Sequence, residues 1–342
     1  MRRPRVIIIS PALAGANNGN WQTAWRWSRM LRPEFQTTIA QTWNGELFDV
    51  MLALHARRSA DAVAQWARAT GSNSDAPGLA VVLTGTDLYR DIQTDSSAQA
   101  SLQLARKLVV LQERGADALP AAVRRKARVI YQSSTTRQTS FKTKHHLRVL
   151  MVGHLRAEKS PQTLFGAAHQ LRAHVDIFID HIGQALDPEL GQQARACAGE
   201  CSNYRWLGGL SHEATRRHIQ RSHLLVHASA MEGGAHVLME AVCSGTPVLA
   251  SRIDGNVGML GADYAGYFEH GNTEALVELL LRCRTAQASL DAHDDNLLQR
   301  LQTQCAARAR LFAPAAEQAA LRALVRDLLR TSRAMKPIHA SS

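Results

Sequence analysis

The sequence has few aromatic side chains, which make up 5% of its 342 residues. Proteins that bind single-stranded nucleic acid usually stack the bases on such side chains. A net charge of +11 would suit nucleic acid, but the basic residues are scattered in pairs such as Arg57-Arg58, Arg124-Arg125 and Arg216-Arg217. We therefore expect no nucleic-acid partner. The excess charge is typical of a solvated surface, or of a positive field that draws in phosphorylated substrates.

Long apolar runs and a regular set of cysteines are also missing. The apolar run Val6–Ile9 is far too short to span a membrane, so we expect no membrane segment and no signal peptide. The five cysteines form an odd, scattered set: Cys197, Cys201, Cys243, Cys283 and Cys305. Such a set predicts reduced thiols in a cytoplasmic protein. Cys197 and Cys201 have no second cysteine pair nearby, so we expect no metal site there.

Apolar strands alternate with helices along the whole chain, which predicts α/β domains with parallel sheets. In the first half we predict the strands Arg5–Ser10, Phe35–Trp43, Leu79–Leu83 and Arg128–Gln132, and the helices Trp21–Leu31, Ser59–Ala69 and Ser97–Arg114. In the second half we predict the strands Leu147–Val152, Asp176–Asp180, Tyr204–Leu207, His223–His227 and Pro247–Ser251, and the helices 274–285, 290–310 and 315–330. The polar stretch Ser133–His146 is the expected linker. Ligands in such folds bind at the carboxyl ends of the strands, here in a cleft between two Rossmann-like domains.

Two glutamates of the second half flank a glycine pair. Glu232 precedes Gly233-Gly234, and Glu240 lies two turns into the helix that should follow. A strand, a glycine loop and a helix together aim backbone N–H groups at an anion, and nearby carboxylates suit neutral hydroxyls. The pattern indicates a bound sugar nucleotide. The alternative is a solvated helix with an acidic first turn.

A basic pair follows the first strand of the same half. Arg156 and Lys159 lie in the loop after Leu147–Val152, just before the helix that Pro161 opens. A guanidinium and an ammonium near a helix start suit a diphosphate. An exposed turn is the alternative.

Taken in order, these motifs resemble those of the family-4 GT-B glycosyltransferases over about residues 148–285. The motifs are Gly153-x-Leu155-Arg156-x-x-Lys159-x-Pro161, Glu232-x7-Glu240 and Ala241-x3-Gly245-Thr246-Pro247-Val248. The resemblance implies a GT-B fold with an acceptor-binding domain over residues 1–140 and a nucleotide-sugar domain over 141–312. It also implies that a last helix, residues 313–332, crosses back onto the first domain.

The resemblance also implies roles for residues of the donor site. Arg156 and Lys159 would neutralise the leaving diphosphate, and Glu240 would hold the ribose hydroxyls. Glu232 would hold the donor sugar together with the amides of the glycine loop. The expected donor-binding set is Gly153, Gly233, Gly234, Ala235, His236, Glu240, Gly255 and Asn256.

One loop departs from the family pattern. Gly258 stands where a glutamate is expected in the loop Asp254–Gly261, so this loop must approach the nucleotide differently. The sequence also contains no Asp-x-Asp motif, and a metal-bridged diphosphate needs adjacent carboxylates. Because Arg156 and Lys159 supply positive charge, we predict neither a metal nor another cofactor.

Two loops of the first half suit a small anion. Gly15–Asn20 is rich in glycine and asparagine, so its N–H groups can form an anion nest before a helix; Asn18, Gly19 and Asn20 are the expected acceptor contacts. The loop after Leu79–Leu83 offers Thr86, Asp87 and Arg90 where the family commonly has a histidine. We expect Asp87 to act in catalysis and Thr86 and Arg90 to bind acceptor. A plain N-cap at Asn20 and a turn capped by Asp87 are the alternatives.

Within the superfamily the chain is similar to the selenosugar synthases of selenoneine biosynthesis. The similarity rests on three segments of the chain: 10–20, Leu83–Asp91 and Gly255–Gly261. It implies transfer of a sugar, chiefly N-acetylglucosamine, from a UDP-sugar to selenophosphate. Three alternatives remain: an alcohol or thiol acceptor, an inactive sugar-nucleotide sensor and, least favoured, a basic nucleic-acid-binding protein.

Overall fold

The structure, a computed structural model, describes residues 2–13, 19–288 and 296–334, with side chains as far as Arg330. The chain divides into two compact units. The first comprises the residues up to Gln132 together with those from Pro314 onward, and the second comprises Ser133–Ala313. No helix of the described ranges is both long enough and apolar enough to cross a membrane.

The first unit is built on a parallel sheet of six strands. These strands are β1 (Arg5–Ile9), β2 (Gln36–Ala40), β3 (Val50–Leu54), β4 (Ala76–Val82), β5 (Ala105–Val110) and β6 (Ala127–Val129), in the order β2-β1-β3-β4-β5-β6. The helices are α1 (Gly19–Leu31), α2 (Ala60–Ala69), α3 (Ile92–Thr94), α4 (Ser96–Leu104) and α5 (Ala121–Arg124). Because the pairing is parallel throughout, the carboxyl ends of all strands share one edge of the sheet.

Two of these strands differ from the prediction. The sequence analysis predicts neither a helix nor a strand for Val50–Leu54. In the structure this run forms β3, which is fully buried and pairs with both β1 and β4. The predicted helix Ser97–Arg114 is wrong in its second half, since α4 ends at Leu104 and β5 follows at once. Pairing of β5 with both of its neighbours outweighs the helical pattern of this segment.

The second unit repeats the architecture. Its strands are β7 (Leu147–Val152), β8 (Ile177–Ile182), β9 (Tyr204–Trp206), β10 (Leu224–His227), β11 (Val248–Ser251) and β12 (Tyr267–Phe268), in the order β12-β11-β10-β7-β8-β9. Its helices are α6 (Pro161–Gln170), α7 (Pro188–Glu200), α8 (His212–Arg221), α9 (His236–Val242), α10 (Asp254–Leu260), α11 (Thr273–Ala288) and α12 (Leu297–Ala309). Two parallel sheets flanked by helices confirm the predicted α/β fold class. The two-residue β12 was not predicted.

The segment Ser133–His146 contains neither helix nor strand and lies on the second unit. The Arg137 N–H donates to the Cys243 carbonyl, and the Thr139 hydroxyl donates to the Ser244 carbonyl. These contacts anchor the segment beside the end of α9.

The last helix, α13 (Pro314–Ala334), packs on the first unit. Its apolar face joins Trp27 and Leu31 of α1 and the strands of the sheet in one buried cluster. Glu317 is buried at the same contact. Its carboxylate accepts a hydrogen bond from Trp27 Nε1 at 2.6 Å and pairs with the Arg26 guanidinium.

The Glu317→Gln substitution is expected to destabilise the first unit by about 2 kcal/mol. Glutamine keeps an acceptor for Trp27 but removes the charge that Arg26 faces, and hydrogen bonds to charged groups are worth about 1.5–3 kcal/mol. Denaturant unfolding of the two proteins measures the difference. Glu34→Gln is the matched control, because Glu34 pairs with Arg322 and Arg326 at a more exposed contact and should cost at most about 1 kcal/mol. An equal loss of unfolding free energy in both variants would contradict the stronger stabilising role given to Glu317.

Candidate functional site

A buried histidine of the second unit holds the loop that follows β7 and begins at Gly153. Neutral His181 of β8 donates from Nε2 to the Gly153 carbonyl (3.2 Å), and its Nδ1 accepts from the Tyr204 hydroxyl (3.0 Å). Burial lowers the pKa of His181 to about 4, so the ring stays neutral. Gly183 lies so close that a Cβ there would fall 1.9 Å from the Gly153 oxygen. The loop after β7 therefore has a fixed starting point.

Lys159 and Glu232 meet at the carboxyl ends of β7 and β10. The Lys159 ammonium donates to Glu232 Oε1, and the imidazole of buried His227 lies 3.4 Å from the same oxygen. Burial alone would raise the pKa of Glu232, but Lys159 and His227 outweigh it and hold the pKa well below its usual range. The structure thus brings together two residues that lie 73 positions apart in sequence.

The two loops that carry this pair are also joined through the backbone. The Ala230 N–H donates to the Glu158 carbonyl at 2.9 Å. Arg156 of the same loop is exposed, and no ion pair is present for its guanidinium among the residues described. It is therefore placed to meet a ligand that approaches Lys159.

Glu240 lies in α9 and is surrounded by cationic or potentially cationic groups. His212 Nε2 lies 2.6 Å from Glu240 Oε1, His236 Nδ1 lies at 3.5 Å and the buried Arg216 at 3.9 Å. Burial would raise the pKa of Glu240, but the bonds from His212 and His236 bring it to about 2. All three distances are to Oε1, and the Glu240 side chain is 6% exposed.

The contact between His212 and Glu240 should make stability depend on pH. The hydrogen bond to Glu240 raises the pKa of His212 above its usual value of about 6.5. The stabilisation is therefore complete below that value and is lost as pH rises through the higher pKa of the folded state. Thermal unfolding of wild type and His212→Ala from pH 5.5 to 9 should show a difference in Tm that shrinks with pH. Exposed His174→Ala is the control, and a constant difference for His212→Ala would contradict the contact.

The glycine loop and α10 pack tightly beside Glu232. A Cβ on Gly255 would fall 2.1 Å from the Glu232 carbonyl oxygen, so only glycine allows this approach. The predicted loop over Asp254–Gly261 is instead helical from Asp254 to Leu260, despite its glycines. Asn256 lies in the interior, and its amide donates to the Ser251 carbonyl (2.9 Å). Gly255 and Asn256 are therefore buried and support the backbone beside Glu232.

The amides predicted to bind phosphate lie directly before α9. Gly233 and Ala235 are buried, and Gly234 and His236 are half-buried. The Ala235 N–H points to the Met259 sulfur at 3.2 Å. Thus α10 contacts the glycine loop through both Gly255 and Met259.

In the first unit, Asp87 caps the end of β4. Its carboxylate is fully buried and accepts N–H groups from Ala56 (2.8 Å), Thr84 (2.9 Å) and Gly85 (2.9 Å). These bonds fix the turn that leads into the π-helical segment Asp87–Asp91. The geometry favours the turn-capping alternative for Asp87 and leaves its catalytic role a prediction.

Sequence reasoning missed His55, which follows β3. His55 Nε2 lies 3.3 Å from Thr86 Oγ1, and its backbone has φ +73°, a conformation uncommon outside glycine. Thr86 is half-buried, whereas Arg57 and Arg90 are exposed on either side. The signal that would have found His55 is the apolar run Val50–Leu54, whose end places the next residue at the sheet edge.

Only part of the predicted loop after β1 lies within the described ranges. Asn18 falls outside them. Gly19 and Asn20 form the first turn of α1, where the Thr23 hydroxyl donates to the Gly19 carbonyl (2.8 Å). Both residues therefore stand at a helix start, as the predicted anion nest requires.

One group of side chains in the described residues has the composition of a metal site. His169, Cys197 and Cys201 offer ligand atoms that all lie within 4.8 Å of one another. Cys201 Sγ is 3.3 Å from His169 Nδ1, a contact that a thiol hydrogen bond also explains. All five cysteines are buried and unpaired. This group belongs to α6 and the end of α7, and neither glutamate of the donor site is part of it.

Comparison with known proteins gives the fold and one domain. Residues 132–293 match the family described as "Glycosyl transferases group 1", so they form a domain of that type. Sucrose-phosphate synthase of Thermosynechococcus elongatus is 14% identical and superposes with a TM-score of 0.72 over 96% of this chain and 100% of its own. HepE of Anabaena, solved with UDP, is 14% identical, with a TM-score of 0.68 over 95% of this chain and 100% of its own.

A third similar structure belongs to a longer protein. TarM of S. aureus, a mutant of which was solved with fondaparinux, α-GlcNAc-glycerol and UDP, is 13% identical, with a TM-score of 0.61 over 81% of this chain. The chain spans 56% of the TarM chain. At these identities the similarity establishes the fold, which is GT-B.

Proposed function

We propose that this chain is a glycosyltransferase that moves a sugar, chiefly N-acetylglucosamine, from a UDP-sugar to selenophosphate. The observation that carries the donor half is the pair of Lys159 and Glu232, with Arg156 beside it and Glu240 in the adjacent helix. The glycosyl transferases group 1 match over residues 132–293 and the UDP bound by HepE support the same assignment.

The donor would be held by the second unit. Lys159 and Arg156 neutralise the diphosphate as the bond to the sugar breaks, which is where charge develops in the transition state. Glu240 accepts the ribose hydroxyls, and Glu232 accepts hydroxyls of the donor sugar. The amides of Gly233 and Gly234 and the His236 side chain line the phosphates, next to Ala235, whose own N–H points to Met259.

The proposal requires no metal ion at the diphosphate. Lys159 and Arg156 supply two positive charges at the loop after β7. The nearby carboxylates Glu232 and Glu240 already face cationic or imidazole groups within their own unit. Their hydroxyl-accepting role is compatible with that arrangement, whereas a bridging metal would compete with Lys159.

The acceptor would be held by the first unit. Arg57, Arg58 and Arg90 are exposed near the carboxyl ends of β3 and β4, beside the half-buried Thr86. Asp91 and Asp95 balance part of this charge, but the guanidinium groups stay exposed and can still donate hydrogen bonds to a small anion. Gly19 and Asn20 at the start of α1 offer further N–H donors at the same edge of the sheet.

The chemistry is a displacement at the anomeric carbon. A lone pair of the selenium forms the new Se–C1 bond, and the C1–O bond to the diphosphate breaks with its electrons, so that UDP leaves. Water then cleaves the Se–P bond, which gives phosphate and the 1-seleno sugar. Because selenophosphate is already anionic at neutral pH, positive charge and alignment matter more than a general base.

The test is mass spectrometry of products formed from a mixture of nucleotide sugars with selenophosphate as acceptor. We expect a 1-seleno-N-acetylhexosamine and an equal amount of UDP. Parallel reactions with thiols and alcohols test the alternative acceptors. Product with an alcohol or thiol only would overturn the selenium assignment and leave the transferase assignment standing. If no nucleotide sugar releases UDP, both the selenium assignment and the transferase assignment are overturned.

A further inference from the structure

We propose that His55 is a positioning residue that orients the Thr86 hydroxyl as a hydrogen-bond donor to the anionic acceptor. This inference rests on the proposed function, which supplies the acceptor. It assigns a task to a residue for which the sequence motifs give no role.

The backbone places His55 at the sheet edge with little freedom. Its N–H donates to the Val82 carbonyl at the end of β4 (2.8 Å), and its carbonyl accepts the Ser59 N–H (3.0 Å). The Ser59 hydroxyl in turn donates to the Leu54 carbonyl (2.6 Å). These three bonds hold the left-handed φ of His55, a strained conformation that concentrates at ligand sites.

The hydrogen bonds of the ring determine its tautomer. The Arg58 N–H donates to His55 Nδ1 (3.3 Å), so this nitrogen carries no proton. Burial, the largest effect, lowers the pKa of His55 and keeps the ring neutral, although the Asp87 charge opposes it. The single ring proton is therefore on Nε2.

Among the residues that the structure describes, the Nε2 proton has one partner within hydrogen-bond distance. Thr86 Oγ1 lies at 3.3 Å, whereas Asp91 Oδ2 lies at 3.8 Å, beyond hydrogen-bond distance. When Nε2–H donates to Thr86, the hydroxyl proton of Thr86 must point away from the ring. This excludes the hydroxyl rotamer that points at His55 and biases Thr86 toward donating to a group on its other side.

The surroundings of Thr86 indicate what this donor serves. Arg57 and Arg90, whose side chains are 54% and 55% exposed, flank the site. Both also face Asp91, at 3.7 Å and 3.3 Å, which holds their heads near the sheet edge. Arg57 also faces Asp95 at 3.3 Å. An O–H donor at the same sheet edge as these exposed guanidinium groups suits an oxyanion such as the phosphate group of selenophosphate.

Two substitutions of His55 separate its two ring nitrogens. In His55→Gln the side-chain amide nitrogen reaches the Nε2 position and can still donate to Thr86. In His55→Asn the shorter amide can still accept the Arg58 N–H but does not reach Thr86. Thr86→Val removes the hydroxyl at nearly constant volume, and Thr86→Ser keeps it.

The readout is the KM for acceptor compared with the KM for donor. We expect His55→Asn and Thr86→Val to raise the acceptor KM roughly tenfold, the effect of one hydrogen bond to a charged group, with the donor KM unchanged. His55→Gln and Thr86→Ser should stay within about threefold of wild type. The double variant of His55→Asn and Thr86→Val should be no worse than Thr86→Val alone, because both remove the same interaction.

The inference is overturned if His55→Asn equals wild type, or if its effect adds fully to that of Thr86→Val. Thermal unfolding checks each variant, and should His55→Asn not fold, His55→Gln combined with Thr86→Val carries the comparison. Calorimetric binding of inorganic phosphate supplies a second readout without turnover. If wild type binds phosphate and both Thr86→Val and His55→Asn bind it about tenfold more weakly, while no sugar is transferred, the proposed function fails and the role of His55 in anion binding stands.

Discussion

Replacing Lys159 by methionine is expected to lower kcat for sugar transfer about a hundredfold or more. Methionine is of similar length but brings no charge to the leaving diphosphate, and removing one such stabilising donor typically costs about 10²–10³-fold in kcat. The same change removes the cation that faces the half-buried Glu232, so the pKa of Glu232 should rise. Steady-state release of UDP at saturating substrates measures the loss.

The matched control is Lys144→Met, which removes an exposed lysine from the same unit. It should leave kcat within about twofold of wild type, since surface substitutions rarely matter beyond their own contacts. Thermal unfolding shows whether Lys159→Met keeps its fold. A folded Lys159→Met protein with wild-type kcat would remove Lys159 from the diphosphate.

Replacing Glu240 by glutamine is expected to raise the KM for the donor about ten- to a hundredfold, with a smaller change in kcat. A hydrogen bond to a charged acceptor contributes about 1.5–3 kcal/mol, and the ribose does not take part in bond breaking. The substitution also leaves His212, His236 and Arg216 without the carboxylate they approach. Initial rates over a range of UDP-sugar concentrations give the KM.

Glu213→Gln is the control for Glu240. Glu213 lies in α8 beside His212, is exposed and pairs with Arg137 and Arg217, so it shares the neighbourhood without entering the site. Its substitution should leave the donor KM unchanged. A wild-type donor KM in Glu240→Gln would remove Glu240 from the ribose, whatever the effect on kcat.

The cluster around Lys159 and Glu232, which we propose binds the donor, was the more predictable from sequence. Arg156, Lys159 and Glu232 each follow a short apolar strand, and the carboxyl ends of parallel strands meet at one edge. The contacts between side chains could not be predicted from sequence, because Lys159 and Glu232, or His212 and Glu240, come from separate elements. Their contacts arise only when the sheet is assembled.

The acceptor half was less predictable because one strand was overlooked. Val50–Leu54 is apolar throughout, and a fully buried strand shows no alternation to distinguish it from other apolar runs. Missing β3 hid His55. Asp87 shows the opposite difficulty, since a carboxylate that caps three N–H groups has the same sequence as one that faces substrate.

The predicted secondary structure was wrong where the local sequence pattern favours one structure and the tertiary contacts favour another. Residues 97–114 read as one amphipathic helix, yet Ala105–Val110 occupies an inner place in the first sheet, between β4 and β6. The two glycines of Asp254–Leu260 predict a loop, whereas the segment is a helix whose Gly255 packs on Glu232 and whose Met259 meets Ala235. In both segments tertiary contacts decide the structure.

The most direct test of the central claim is the stoichiometry of one reaction: purified protein with UDP-N-acetylglucosamine, with and without selenophosphate. We predict that UDP release depends on selenophosphate and that each UDP is matched by one seleno sugar. Absence of UDP release under both conditions, from this donor and from other nucleotide sugars, would contradict the account.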